Sequence, residues 1–208
     1  MAGRMRHRDN HGNQGDLGPG SVQWMTAGRG IVHEEMPQQE RGLMWGYQLW
    51  VNLPAARKMT APRYQDVPAD RIPEVVLPGG GKARVLAGRL EEVEGPVSEV
   101  AVEPAYLDVS LPAGGVFGWP PPDGHTVLLH GVEGEFTVGD DGRTFHAREM
   151  ALLSRRGDVA VKAGGGGARF LVIAGRPLGE PVAHHGPFVM NTREEILRAI
   201  EDFQAGRF

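Results

Sequence analysis

VQWMTAGRGIVHEEMP, residues 22–37, reads as two short strands around a glycine-punctuated turn: Val22-Gln23-Trp24-Met25, then Thr26 to Gly30, then Ile31 to Met36, with Pro37 closing the run. The same grammar extends outward. Upstream, Met5 to Asp9 reads as a strand and Asn10 to Gly15 as a hairpin turn, with Gly18-Pro19-Gly20 a second turn. Downstream, Trp45 to Leu53 (WGYQLWVNL) resumes a strand pattern. Pro54, Pro62, Pro68, Pro73 and Pro78, followed by Gly79 to Gly81, mark a crossing segment whose fixed φ angles leave room only for short strands. Beyond it, strands are expected at 85–90, 105–111, 125–131, 135–138, 150–153, 159–162 and 168–174. In 106–111 the alternation puts Leu107, Val109 and Leu111 on one face. Turns are expected at 131–135 and 139–142, and Gly164 to Gly167 reads as a loop tip without the spacing of a phosphate cradle. Short strands joined by turns predict an all-β chain of antiparallel sandwich or barrel type, not strand–helix–strand units.

Composition agrees and narrows the function classes. Glycine (31) and proline (16) make up about a quarter of the 208 residues, which would break an all-helical chain. A formal charge of -4, with neither half concentrating one sign, gives no general attraction to nucleic acid or anionic lipid. The absence of cysteine excludes disulfides, thiol catalysis and thiolate metal sites, so a metal would need nitrogen and oxygen ligands. No stretch has the apolar length of a membrane span, and the opening MAGRMRHRDN lacks the apolar centre of a signal peptide, so a cytoplasmic location is expected. Neither a Gly-x-Ser-x-Gly elbow nor a zinc-protease helix motif is present.

One helix is predicted. Thr192 with Glu195 three residues on forms a capping box, Ile196, Ile200 and Phe203 recur at helical spacing, and Gly206 ends the run. The apolar segment 187–191 before it is expected to dock on the sheet. Among the histidines, His33 is singled out because in a strand it shares a face with Glu35, two residues on, so that imidazole and carboxylate can converge on a metal. Two ligands do not complete a site, and a His-x-Glu pair on a sheet is more often a solvated face or a hydrogen-bonded pair. His7 and His11 flank a turn and read as surface residues; His125 and His130 suggest packing, His146 stands alone, and His184-His185 falls in a loop.

VQWMTAGRGIVHEEMP resembles the signature segment of the pirin family, which is built of two cupin domains. WGYQLWVNLPAARKMTAPRYQD resembles the family's inter-domain region, and PLGEPVAHHGPFVMNTREEILRAIEDFQAGRF its C-terminus. The resemblance covers essentially the whole chain. It implies two antiparallel jelly-roll barrels of cupin type, the first incomplete, with a C-terminal helix: residues 1–75 as the metal-type N-terminal cupin and 76–208 as the C-terminal cupin, with the terminal strand and helix packing back. It further implies one mononuclear metal, usually Fe(II), held by three histidines and a glutamate, of which the third histidine and the glutamate match His33 and Glu35. The other two belong to an HPH-type motif upstream of the HRD segment, which is His7-Arg8-Asp9 here. The chain is therefore expected to be N-terminally truncated relative to the family, and to hold Fe(II) or another divalent metal weakly or not at all in this form. The implied activity is an Fe(II)-dependent dioxygenase of the quercetin 2,3-dioxygenase type acting on a flavonol-like aromatic substrate. The alternative is a non-enzymatic interaction protein or transcription cofactor with a protein partner, without direct nucleic-acid or membrane binding; the oligomeric state is left open.

Overall fold

Strand formation follows the alternation in the sequence most closely at residues 105–111: Leu107 and Val109 are wholly buried, Leu111 nearly so, and Ser110 between them is exposed. The structure, a computed structural model, describes residues 1–39, 41–139, 142–154 and 157–208. Among them the chain is predominantly β with a single α-helix near the C-terminus. Cα proximity divides it into two units, Met1–Ala69 with Leu178–Phe208, and Asp70–Pro177.

In the first unit β1 (Met5–Asp9) is the central strand of a three-stranded sheet, with β2 (Gln14–Leu17) on one side and β4 (His33–Pro37) on the other, all antiparallel. A separate pair joins β3 (Val22–Thr26) to β5 (Arg63–Val67). The expected strand over 45–53 does not form; Trp45 makes one bridge to Ala2 and the remainder has no ladder. Its apolar alternation is real, but among the described residues no backbone pairs with it beyond Trp45, and a strand is defined by its partner.

The second unit contains β6 (Glu74–Val76), β7 (Lys82–Ala87), the small hairpin β8 (Arg89–Leu90) and β9 (Val93–Glu94), β10 (Ala105–Leu111), β11 (Val116–Trp119), β12 (Thr126–Val138), β13 (Arg143–His146), β14 (Met150–Leu152) and β15 (Val159–Gly175). The central path runs β13-β12-β15-β10-β7-β6, with β11 also on β15 and β14 on β12. Strands expected as separate pieces are continuous here. The expected turn at 131–135 lies inside β12, and the expected loop tip at 164–167 lies inside β15. The reason is in the register. The β12–β15 ladder shifts between Gly131 and Glu133 and again between Gly134 and Phe136, passing from Gly134↔Ala168 to Phe136↔Ala163. Small residues without side chains let both strands bulge and bend there while pairing resumes beyond. Of the expected 139–142 turn, Asp140 and Asp141 lie outside the described residues.

The core of this unit gathers Val85, Leu107, Val109, Leu129, Phe136, Phe170 and Val172 around Phe117 and Trp119. One buried carboxylate here is paired. Asp108, 5% exposed, accepts two hydrogen bonds from the Arg169 guanidinium at 2.8 and 2.7 Å, with Arg84 at 3.8 Å.

The C-terminal segment holds the hairpin β16 (Ala183–His185) and β17 (Phe188–Met190), then α1 (Arg193–Gln204). His184 and His185, expected in a loop, lie in β16, and 188–190 pairs with them. The capping box forms: Glu195 N–H donates to Thr192 Oγ1, and the Glu195 carboxylate accepts from Thr192 and Asn191. Those backbone donors hold the Glu195 carboxyl below its ordinary range. By Cα proximity the segment groups with Met1–Ala69. The buried Lys58 amine donates to Asn52 at 2.7 Å and to the Val189 carbonyl at 3.0 Å, and Ala55 N–H donates to Glu180. At the other boundary, Val75↔Ala83 pairing draws residues 70–75 into the second unit.

Candidate functional site

In an antiparallel pair, residues directly opposite one another lie on the same face. The β1–β4 register sets His7 opposite Glu35 and Asp9 opposite His33, while Arg8 faces Glu34. His33 and Glu35 therefore share one face with His7 and Asp9, and Glu34 falls on the other. That other face carries a two-pronged ion pair, Arg6 to Asp16 at 2.7 and 2.9 Å. All five residues of β4 are exposed.

Glu35 is steadied from the following segment. The Gln48 side-chain amide donates to its two oxygens at 3.5 and 3.3 Å, and Trp50 Nε1 donates to Gln48 Oε1 at 3.3 Å, which decides that the amide nitrogen faces Glu35. The residues 45–53, unpaired as a strand, thus supply a side-chain contact to a candidate ligand.

His7, expected at the surface, is 1% exposed. Its Nε2 lies 3.0 Å from Asp66 Oδ2, its ring stacks on Tyr64 at 5.4 Å between centroids, and its Nδ1 is buried with no hydrogen-bond partner. Facing a carboxylate, Nε2 is the donor. β2 places Gly15 directly opposite His7, and the missing side chain there is the space the imidazole fills. Period-two spacing from Met5 with a glycine in the partner strand was the available signal; Tyr64 and Asp66, more than fifty residues away, were beyond local reading. His11 is exposed as expected, His125 is buried and bonded to the Glu103 carbonyl, and His146 is exposed.

Burial pushes the Tyr64 phenol up to about 12, and the Asp9, Asp66 and Glu35 carboxylates add to this. Asp9 moves the other way: burial opposes ionisation, but hydrogen bonds from Asn13 and His11 hold its carboxyl below the ordinary range. Because the folded-state pKa of Tyr64 lies above its unfolded value near 10, the stability it confers is intact below pH ~10 and is lost as pH rises towards 12. In an alkaline titration followed by tyrosinate absorbance and circular dichroism, Tyr64 should ionise late, with loss of structure. Tyr64→Phe should abolish that late step and flatten the alkaline limb; an unchanged limb would show that Tyr64 is not responsible.

A mononuclear Fe(II) site of the kind implied would draw on nitrogen and oxygen donors, and His33 and Glu35 are of that kind. The described residues contain no group of three or more His, Asp or Glu placed to hold an ion. His7 Nε2 is committed to Asp66 and Asp9 to its own turn, so neither supplies the missing donor. The residues present fit half of such a set, and no reaction step follows from them alone.

Comparison with known proteins decides the family. A sequence profile for pirin matches residues 1–51, and one for the pirin C-terminal cupin domain matches residues 106–208. A pirin-like protein of Caulobacter vibrioides is 50% identical over 209 residues, covering 100% of this chain and 75% of that protein. The chain belongs to the pirin family. Human pirin is 40% identical over 205 residues, 97% of this chain and 70% of its own length. Among solved structures, a quercetin 2,3-dioxygenase from Acinetobacter baumannii superposes with a TM-score of 0.90 at 36% identity, covering 100% of this chain and 73% of that one. Pirin membership brings the two-cupin architecture. Among the described residues, no helix is long and apolar enough to cross a membrane.

Proposed function

We propose that His33 and Glu35 are two ligands of a mononuclear divalent metal, Fe(II) by preference, in a dioxygenase that acts on a flavonol-like aromatic compound. The remaining histidines of the set would come from an N-terminally longer form. The carrying observation is the shared open face of His33 and Glu35, with Glu35 held by Gln48. Support comes from the similarity to the Acinetobacter dioxygenase and from relatives longer than this chain. On this reading the 208-residue form binds metal weakly, because two protein ligands forgo most of the chelate advantage of a full set. A second reading, a non-enzymatic interaction protein, is favoured by the exposure of Met36, Leu43 and Trp50, at 52%, 64% and 64%, in the same unit.

Metal analysis and quercetin-dependent oxygen uptake, run on the 208-residue protein beside an N-terminally extended form, separate these. The extended form should carry near-stoichiometric iron and turn over flavonol, and His33→Ala or Glu35→Ala should each lower its metal affinity by at least about a hundredfold, as for loss of a direct ligand. Near-stoichiometric iron in the short form, indifferent to His33→Ala, would overturn the ligand assignment. Full iron without flavonol turnover would favour the second reading.

A further inference from the structure

We propose that Phe208 is a positioning residue for His33, acting through a clamp that it forms with Asn10 on residues 30–32, the segment that leads into β4. The proposal rests on the reading of His33 as a metal ligand, and every contact in it lies within the first unit.

The clamp begins at the backbone. Asn10, the residue after β1, donates its N–H to the Val32 carbonyl at 2.9 Å, and its side-chain Oδ1 accepts from the Val32 N–H at 3.1 Å. Val32 directly precedes His33, which stands opposite Asp9 in the ladder. One asparagine therefore carries the β1–β4 pairing one residue past its last rung and holds both backbone polar groups of the residue that delivers His33. Because Oδ1 faces the Val32 N–H, Nδ2 faces the other way, and there it donates to the Phe208 carbonyl at 2.7 Å. Little else steadies this stretch from outside: Val32 is 44% exposed, and β4 is exposed throughout and stands at the edge of its sheet. Edge backbone of that kind opens locally at small cost, so a side-chain hold on Val32 sets how well His33 is fixed.

Phe208 is itself held by three partners. Its ring lies against Gly30, whose φ is +139° and where an added Cβ would overlap the ring carbons, so only glycine allows this approach. Phe188 of β17 meets the ring edge-on at 6.0 Å and Phe203 of α1 at 5.9 Å, and those two meet one another at 6.2 Å. The end of α1 sets the direction of approach. Gly206, at φ +65°, donates to the Phe203 carbonyl and Arg207 N–H donates to the Asp202 carbonyl, the pair of bonds that turns a chain back on its helix, and the Arg207 guanidinium donates to the Asp202 carboxylate at 2.7 Å. Phe208 thus joins the C-terminal hairpin and helix to both Gly30 and Asn10. Removing its ring releases Gly30 and the Asn10 amide together, and Val32 loosens with them.

The test is native-state hydrogen exchange of the metal-free 208-residue chain, followed by nuclear magnetic resonance at the Val32 amide. Phe208→Ala should speed exchange there at least about tenfold, while the amides of the β3–β5 pair, in the same unit but outside the clamp, keep their rates. Asn10→Asp keeps the acceptor for Val32 and replaces the donor to Phe208 with a second acceptor, so it should have the same local effect without touching the ring. It decides the matter if Phe208→Ala loosens the whole C-terminal segment. Unchanged Val32 exchange in Asn10→Asp, or a rise shared equally by the β3–β5 amides, would overturn the clamp. In the N-terminally extended form, Phe208→Ala should weaken Fe(II) binding several-fold, and that loss should disappear in a His33→Ala background. A loss undiminished in that background, or no loss with His33 present, would show that Phe208 does not act through His33. Iron binding indifferent to His33→Ala alone would instead sink the ligand reading, with Val32 exchange still deciding the clamp.

Discussion

Phe170→Ala should lower the stability of the second unit by ~3–5 kcal/mol, the cost of removing a fully buried ring and leaving a cavity. Phe170 is 0% exposed and stands in β15 between Val109 of β10 and Gly131 of β12. Its ring meets Phe136 at 5.0 Å and Phe117 edge-on at 5.9 Å, and Phe136 stacks in turn on Phe145. The surrounding backbone is a laddered sheet that can close the void only by breaking pairs, so relaxation recovers little of the loss. Urea unfolding followed by circular dichroism should show the midpoint fall with the slope unchanged, and Phe170→Leu should cost distinctly less. A loss under about 1 kcal/mol for the alanine variant would mean that the aromatic cluster is not the unit's structural centre.

That centre was legible in part. Leu107, Val109 and Leu111 announce their face through strict alternation, and the helix through its box of Thr192 and Glu195, because both signals are local. Phe136 and Phe170 were less visible. β12 and β15 each run through glycines that read as turns, and only their pairing, which skips registers at Gly131 and Gly134, makes continuous strands of them. The reverse error arose at 45–53, where local alternation beyond Trp45 met no backbone partner among the described residues. For the candidate site, His33 and Glu35 followed from period-two spacing within one strand, and the β1–β4 register places them on one face. Gln48 and His7 did not follow: the first acts from an irregular segment, and the second owes its burial to Tyr64, Asp66 and Gly15, none of them sequence neighbours.

The most demanding test of that buried imidazole is a single methyl group. Gly15 lies opposite His7, and a Cβ added there would overlap His7 Nε2 and come within 2.7 Å of Asp66 Oδ2. Asp66 is partly exposed and can swing away; His7, wedged against Tyr64 and 1% exposed, cannot. Gly15→Ala should therefore separate the pair. The overpacking alone should cost ~1–3 kcal/mol, and leaving Nε2 buried without an acceptor, beside an already unpartnered Nδ1, should add ~1–3 kcal/mol. Because β1 carries His7 and pairs with the strand that presents His33 and Glu35, the displacement should also disturb the face those residues share. The double variant Gly15→Ala, His7→Ala discriminates the cause, since removing the ring gives the new methyl its space. Its stability should exceed the sum expected from the two single changes, with a coupling of ~1–3 kcal/mol in a thermodynamic cycle measured by urea unfolding. Strict additivity would show that Gly15 is needed for strand geometry and not for the imidazole, and the account of His7 as a histidine accommodated by the glycine opposite it would then fail.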